Sequence, residues 1–157
     1  MAPGPFLNQG VFGSPATETQ TVPAEELGVW RFEAGKILRY VKASALIPRY
    51  EAVGWDITAT TTAALFGTQV LSAIGETGML LGVADQATLP LNGYGWITAY
   101  GPATARVVTN ELPGQRLGCG GQTGVLLRLQ ITTYFMPRAI AVQTGLSAGS
   151  AVFITVL

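Results

Sequence analysis

Glycine and proline recur along the whole chain, and they limit the secondary structure that it can form. The 157 residues include 20 glycines and nine prolines. Because glycine weakens a helix interior and proline breaks one, we expect no long helix anywhere. The short apolar segments between these residues are therefore expected to form strands joined by turns.

Apolar and polar residues alternate with a period of two in several segments, which is typical of strands. In the segment 125–132 every odd-numbered position is apolar, and Trp30 and Phe32 share one side of another such segment. The segment 94–100 places aromatic residues on one face. The segment 151–157 is apolar at nearly every position, as expected of a strand covered on both sides. These patterns predict an all-β fold, a single antiparallel β-barrel or sandwich domain.

Turn residues separate the predicted strands. Four segments carry an apolar residue, then a turn-forming residue, then the apolar start of a strand, and each predicts a hairpin or corner turn. These segments are 47–53, 89–94, 112–117 and 146–152. Two other segments fit strands less well, because Lys36, Arg39 and Lys42 are spaced by three and 58–74 is rich in Ala and Thr. We expect at most one short helical turn there.

The first 23 residues differ in composition from the rest of the chain. They are rich in Pro, Gly, Thr and Gln, and four prolines disfavour a helix and remove backbone donors. We predict an extended N-terminal arm at 1–23 and a β domain at 24–157. Because Phe6 and Phe12 would be costly to leave in water, we expect the arm to contact a neighbouring subunit, with a free terminus as the alternative.

Charged residues are scarce, at 11% of the chain against about 25% in ordinary soluble proteins, while 48% of residues are hydrophobic. A neutral surface with so few charges favours association, so we expect a homo-oligomer or assembly component. No run of about 20 apolar residues predicts a membrane span, and the start of the chain lacks the pattern of a secretory signal. We therefore expect a protein made in the cytoplasm, without a membrane partner. Because the net charge is zero, we also expect no nucleic-acid partner.

The sequence contains no histidine, which excludes the commonest general base, nucleophile activator and zinc ligand. The nine acids are scattered rather than paired. The glycine-rich segment 117–124 lacks the Lys-Ser/Thr end of a phosphate loop, so its glycines predict a tight bend or a close approach between subunits. Cys119 has no second thiol and is expected to be a small packing residue. We predict no enzyme activity, no catalytic residue, no metal and no cofactor.

Five of the nine basic residues fall within 31–49. Arg31, Lys36, Arg39 and Lys42 are candidate contacts to an acidic partner surface, together with Phe6 and Phe12 of the arm. The alternative is a solvated or salt-bridged strand face.

Two segments resemble small virion proteins of tailed phages: Gly35–Ala43 (GKILRYVKA) and Leu89–Ala103 (LPLNGYGWITAYGPA). The end of the chain, at 139–152, is similar too. The resemblance covers about 27–157 and leaves the arm outside it.

The resemblance implies a capsid decoration, or cement, protein that binds the outer capsid surface. Such a protein is a β-rich trimer that holds neighbouring major capsid subunits together, and its location would be the virion. The alternatives are a tail, baseplate or head-fibre component. A carbohydrate-binding β module would instead use Trp55, Trp96 and Tyr100 as stacking platforms.

Overall fold

The computed structural model contains ten β-strands in its described part, which comprises residues 15–56, 69–72, 80–108, 111–120, 122–128, 139–142 and 149–155. The strands are β1 (Trp30–Glu33), β2 (Lys36–Ala43), β3 (Ala52–Trp55), β4 (Gln69–Ser72), β5 (Leu80–Val83), β6 (Tyr94–Ala105), β7 (Arg116–Gly120), β8 (Gln122–Arg128), β9 (Ala139–Ala141) and β10 (Ser150–Thr155). These residues include no helix, so the predicted all-β class is confirmed. Accordingly, no helix among them has the length and apolar character needed to cross a membrane.

The strands form one continuous sheet in the order β1-β2-β4-β3-β5-β6-β10-β9-β7-β8, with an additional pairing between β2 and β6. The ladders are antiparallel except for β2 and β4, which run parallel over two residue pairs. The long strand β6 connects the two halves of the sheet, because it pairs with β2 over its first half and with β10 over its second. The choice between a barrel and a sandwich stays a prediction.

A two-residue turn joins β1 to β2. Ala34 and Gly35 both have positive φ, at 49° and 76°. This combination is that of a type I′ turn, whose twist matches the twist of a hairpin. The turn fixes the register in which Phe32 lies opposite Ile37.

The segment around Lys36, one of the two in which at most one short helical turn was expected, forms strand β2 (Lys36–Ala43) and no helical turn. Both faces of this strand are covered. Leu38 and Tyr40 contact one buried cluster, and Val41 and Ala43 contact another. Burial of alternate residues on both sides stabilises an extended segment more than the spacing of its basic residues favours a helix.

Three clusters of buried side chains make up the core of the described residues. Their largest members are Leu80, Leu117, Leu126 and Ile154 in the first, Ile47, Leu89 and Ile97 in the second, and Leu38, Tyr40 and Trp96 in the third. Each cluster lies on a different part of the sheet, and β2 and β6 contribute to more than one of them.

Three of the four predicted turns are confirmed, and each has a residue in the left-handed region: Tyr50, Asn92 and Gly114, with φ of 72°, 59° and 83°. The fourth, at 146–152, lies partly outside the described residues, which begin again at residue 149. The predicted bend in the glycine-rich segment is also confirmed, because Gly120 pairs with Gln122 between β7 and β8. Cys119 is buried, as expected of a packing residue.

Strand β10 confirms the predicted strand at the end of the chain, but not its predicted burial. Val152 and Ile154 are buried, whereas the alternate positions, including Phe153, remain partly exposed. The strand is therefore covered on one side only, and its other side leaves an aromatic ring at the surface.

The described part of the predicted arm lies on the sheet of its own chain. Ala16 is buried in the cluster that contains Trp96. Gln20 and Tyr94 exchange two backbone hydrogen bonds, of 3.0 and 2.8 Å. Residues 1–14, which include Phe6 and Phe12, lie outside the described residues, and the division of the chain at 23 stays a prediction.

Candidate interaction surface

The four basic residues predicted to contact a partner all lie on β1 and β2, where each contacts its own chain. Arg31 forms an ion pair with Glu33 (2.7 Å), and its guanidinium lies 5.7 Å from the centre of the Trp96 ring. Lys36 Nζ lies 2.6 Å from a carboxylate oxygen of Asp85.

The other two basic residues cover aromatic rings. The Arg39 guanidinium lies 5.3 Å from the centre of the Trp30 ring, and burial lowers the pKa of Arg39. Lys42 Nζ lies 6.0 Å from the centre of the Tyr94 ring. Such contacts favour the cation and shield the apolar ring from water. The basic residues thus belong to cation–π and ion pairs within the chain, and a contact with an acidic partner stays a prediction.

Asp85 is the centre of a buried polar network that we call the Asp85 junction, formed with Lys36, Thr98, Gln86 and Arg49. Thr98 Oγ1 donates to Asp85 Oδ1 (2.6 Å), and Gln86 Nε2 donates to the same oxygen (3.1 Å). Lys36 Nζ donates to Oδ2, and Arg49 Nε donates to the Asp85 carbonyl oxygen (2.9 Å). Asp85 is 5% exposed and Thr98 is fully buried. A buried carboxylate is tolerated when both of its oxygens accept hydrogen bonds, as they do here.

A second buried acid, Glu51, pairs with Arg106 at 2.6 Å. Gly124 allows this pair to form, because a Cβ at that position would lie 2.5 Å from the Glu51 carboxylate. The described residues contain no group of three or more potential metal ligands. Asp85 and Glu51 each connect separate segments of the chain through charge-assisted hydrogen bonds, to Lys36 and to Arg106.

The aromatic segment 94–100 belongs mainly to the core. Trp96 is 1% exposed and its ring lies 5.1 Å from the ring of Tyr40. Trp55 and Tyr100 are half-buried. The interpretation of Trp96 as a sugar-stacking platform is wrong, since a ring this buried offers no face to a ligand.

The exposed side of the sheet carries an apolar band that crosses five strands. We define the apolar band as Phe32 on β1, Ile37 on β2, Tyr100 on β6, Phe153 on β10 and Ile140 on β9. The register places Phe32 opposite Ile37, Ile37 opposite Tyr100, and Phe153 opposite Ile140. The Tyr100 and Phe153 rings meet edge to face at 5.3 Å.

The band lies outside the core on every strand that it crosses. Phe32 is 79% exposed and Ile140 is 38% exposed. With strands about 4.8 Å apart, five strands extend the band over roughly 19 Å. Continuous apolar surface of this kind marks an interaction site more often than isolated exposed residues do.

The close contact between the β1–β2 turn and β6 positions one end of the band. Gly101 has a φ of 101°, and a Cβ there would lie 2.6 Å from the Gly35 carbonyl oxygen. Glycine at this position therefore lets the turn approach β6. The approach leaves an open cleft of about 440 Å³ lined by residues 32–37 and Tyr100.

Sequence reasoning missed the band, although it correctly placed Trp30 and Phe32 on one side of a strand. One signal in the sequence could have indicated the band, namely small and large apolar residues that alternate along a strand. In Ala139–Ala141 the two alanines are buried and Ile140 is exposed. When both alternating sets of a strand are apolar, the pattern does not say which set faces the core.

No family model matches the chain, and no curated protein matches it. Among solved structures, the chain is similar to the N base of head fiber gp8.5 in bacteriophage phi29, with a TM-score of 0.47 and 11% identity over 75% of this chain and 92% of that chain. It is also similar to a chain from the capsid of Myoviridae phage XM1, with a TM-score of 0.49 and 14% identity over the whole of both chains.

Both of these solved structures come from phage heads or capsids.

Proposed function

We propose that this chain is a non-enzymatic structural protein of a tailed-phage virion that binds the outer capsid surface through its apolar band and stabilises the major capsid lattice. The apolar band is the observation that carries this proposal. The motif resemblance supports it, because it points to the same class of protein.

The chemistry of the band fits a protein partner. Phe32, Tyr100 and Phe153 are aromatic, and aromatic residues are enriched at the centres of protein interfaces. One charged residue, Arg116, lies directly opposite Ile140 at the end of the band.

The Asp85 junction supports the same role by fixing the shape of the surface. It connects Lys36, at the start of β2, to Thr98 on β6, and these two strands carry the middle of the band. A band held on paired strands loses less conformational entropy on binding than one on flexible loops. A decoration protein that must match a rigid capsid lattice gains affinity from this preorganisation.

Electron cryo-microscopy of the parent virion tests the proposal. We expect density for the chain on the outer capsid surface, in hundreds of copies, with β9 and β10 facing the major capsid protein. Density at the tail, baseplate or a head fibre would contradict it, as would absence of the chain from the particle.

The trimeric state that we propose with this function is tested in solution. Light scattering of the purified chain is expected to give three times the 16.4 kDa chain mass. A stable monomer at micromolar concentration would contradict the trimer, whatever the position of the chain in the virion.

A further inference from the structure

The apolar band continues into one charged side chain, Arg116 at the start of β7. The register places Arg116 directly opposite Ile140 on β9, and Ile140 in turn lies opposite Phe153 on β10. Residues directly opposite each other in an antiparallel pair project from the same face of the sheet. Leu117, the next residue of β7, is fully buried, whereas Arg116 is exposed. The row of side chains that forms the band therefore ends in a guanidinium.

Arg116 differs from the other basic side chains that the structure describes. Those side chains form ion pairs, hydrogen bonds or cation–π contacts within the chain, at Arg31, Lys36, Arg39, Lys42, Arg49 and Arg106. The Arg116 side chain forms no such contact with any described residue. Its charge is therefore available to a carboxylate of another molecule.

Apolar side chains border Arg116 on the exposed face. Ile140, directly opposite, is 38% exposed, and Val142, in the diagonal position, is 56% exposed. Val142 N donates to Ala151 O (2.9 Å), so Val142 continues the line of β9 beside β10. Diagonal neighbours on adjacent strands are about 7 Å apart, within reach of a long side chain. A partner that covers Ile140 and Val142 would also remove water from the guanidinium.

We propose that Arg116 pairs with a carboxylate of the major capsid protein, an inference that rests on the proposed function of the band. A charge that loses water without gaining a partner is strongly disfavoured. A guanidinium can bind both oxygens of a carboxylate through two parallel hydrogen bonds. An apolar surface without an acid at this position would leave Arg116 unpaired and would bind less tightly. Arg116 thus selects an apolar protein surface that carries an acidic side chain where it meets β7.

Titration of the purified full-length chain onto capsids of the parent phage that lack it tests this inference. Arg116→Gln removes the charge, and Leu91→Glu is the matched control, because it changes the net charge equally at an exposed position outside the band. At about 0.1 M NaCl we expect Arg116→Gln to bind about fivefold more weakly than the unmodified chain, and Leu91→Glu to bind like it. At about 1 M NaCl the Debye length is only about 3 Å, and we expect the difference to fall below about twofold.

Arg116→Lys keeps the charge and is expected to retain the salt dependence of the unmodified chain. Loss of that dependence in Arg116→Lys would contradict the pairing, as would a loss of affinity in Leu91→Glu equal to that in Arg116→Gln. If Phe32→Lys weakens binding while Arg116→Gln binds like the unmodified chain at both salt concentrations, this inference alone is overturned. If the unmodified chain does not bind the capsids, the proposed function fails together with it.

Discussion

An ordinary soluble domain buries apolar side chains and exposes charged ones. The Asp85 junction buries a charged side chain, and the apolar band exposes apolar ones. The junction buries a carboxylate and a hydroxyl and pairs the carboxylate with a partly buried lysine, with Asp85 at 5% exposure. The band places aromatic and aliphatic side chains in water, with Phe32 at 79% exposure. Polar groups hold the strands together inside, and apolar groups remain available outside.

This difference shows where a chain with only nine acidic and nine basic residues places some of its charges. Asp85 and Glu51 are used within the fold, where a charge-assisted hydrogen bond is strong and geometrically specific. The apolar band, by contrast, consists of partly or largely exposed apolar side chains, and binding a partner is the function proposed for it.

The largest effect on folding is expected at the junction. Asp85→Ala would leave the Lys36 ammonium and the Thr98 hydroxyl without their acceptor, and loss of one member of a buried pair costs about 3 kcal/mol or more. Urea denaturation followed by circular dichroism would measure the free energy of unfolding.

The matched control is Glu33→Ala, which removes the exposed ion pair with Arg31. The Glu33 side chain is 46% exposed, and such pairs contribute less than about 1 kcal/mol. Equal effects of the two substitutions would show that the junction does not hold the strands together.

A smaller effect is expected where the β1–β2 turn approaches β6. Gly114→Ala would cost about 1 kcal/mol, because Gly114 has positive φ but open space around its Cβ position. Gly101→Ala would cost about 1 kcal/mol more, because its Cβ would also overlap the Gly35 carbonyl oxygen. Thermal unfolding of the two variants compares them directly, and equal melting temperatures would contradict the close approach.

The next expected effect is the contribution of Tyr40 to the free energy of unfolding, which depends on pH. Burial raises the pKa of Tyr40, whose hydroxyl donates to Gln20 Oε1 and accepts from Ala24 N. The unfolded chain loses the tyrosine proton first, at about pH 10. Stability from this group is therefore complete below about pH 10 and is lost as the pH rises through the higher pKa of the folded state.

Tyr40→Phe is expected to lower the free energy of unfolding by about 1 kcal/mol at neutral pH, through the lost hydrogen bonds. The difference between the two proteins is expected to shrink above about pH 10. Urea midpoints at about pH 8 and about pH 11 would measure it, and a difference that stays constant with pH would refute the role of the buried hydroxyl.

Much of the fold is predictable from this sequence, because glycine, proline and two-residue alternation determine where strands and turns form. The turns at Asn92 and Gly114 and the strand that carries Trp96 follow from local chemistry alone. The spacing of Lys36, Arg39 and Lys42 was misleading, since burial on both faces of β2 decides its conformation. Contacts distant in sequence outweigh local spacing there.

The candidate surface was less predictable, for a physical reason. Phe153 and Val152 are both apolar, and only the neighbouring strands determine that Val152 faces the core while Phe153 faces outward. The partners of Asp85 were equally inaccessible, because Lys36 and Thr98 are 49 and 13 residues away from it. Local patterns identify strands, whereas the register between strands identifies the surface.

The smallest effect on folding is expected in the apolar band, together with a large effect on binding. Phe32→Lys is expected to change the free energy of unfolding by less than about 0.5 kcal/mol, because the Phe32 side chain is already 79% exposed. Leu91→Lys is the matched control, since Leu91 is an exposed leucine outside the band.

Occupancy of the two variants on capsids of the parent phage that lack the chain is the most direct test of the central claim, that the band is the capsid contact. The two variants and the unmodified chain would be added at equal concentration and counted by electron cryo-microscopy. We predict that Phe32→Lys weakens binding about tenfold or more, a loss of about 1.4 kcal/mol, while Leu91→Lys binds like the unmodified chain. Equal occupancy of all three would contradict the claim.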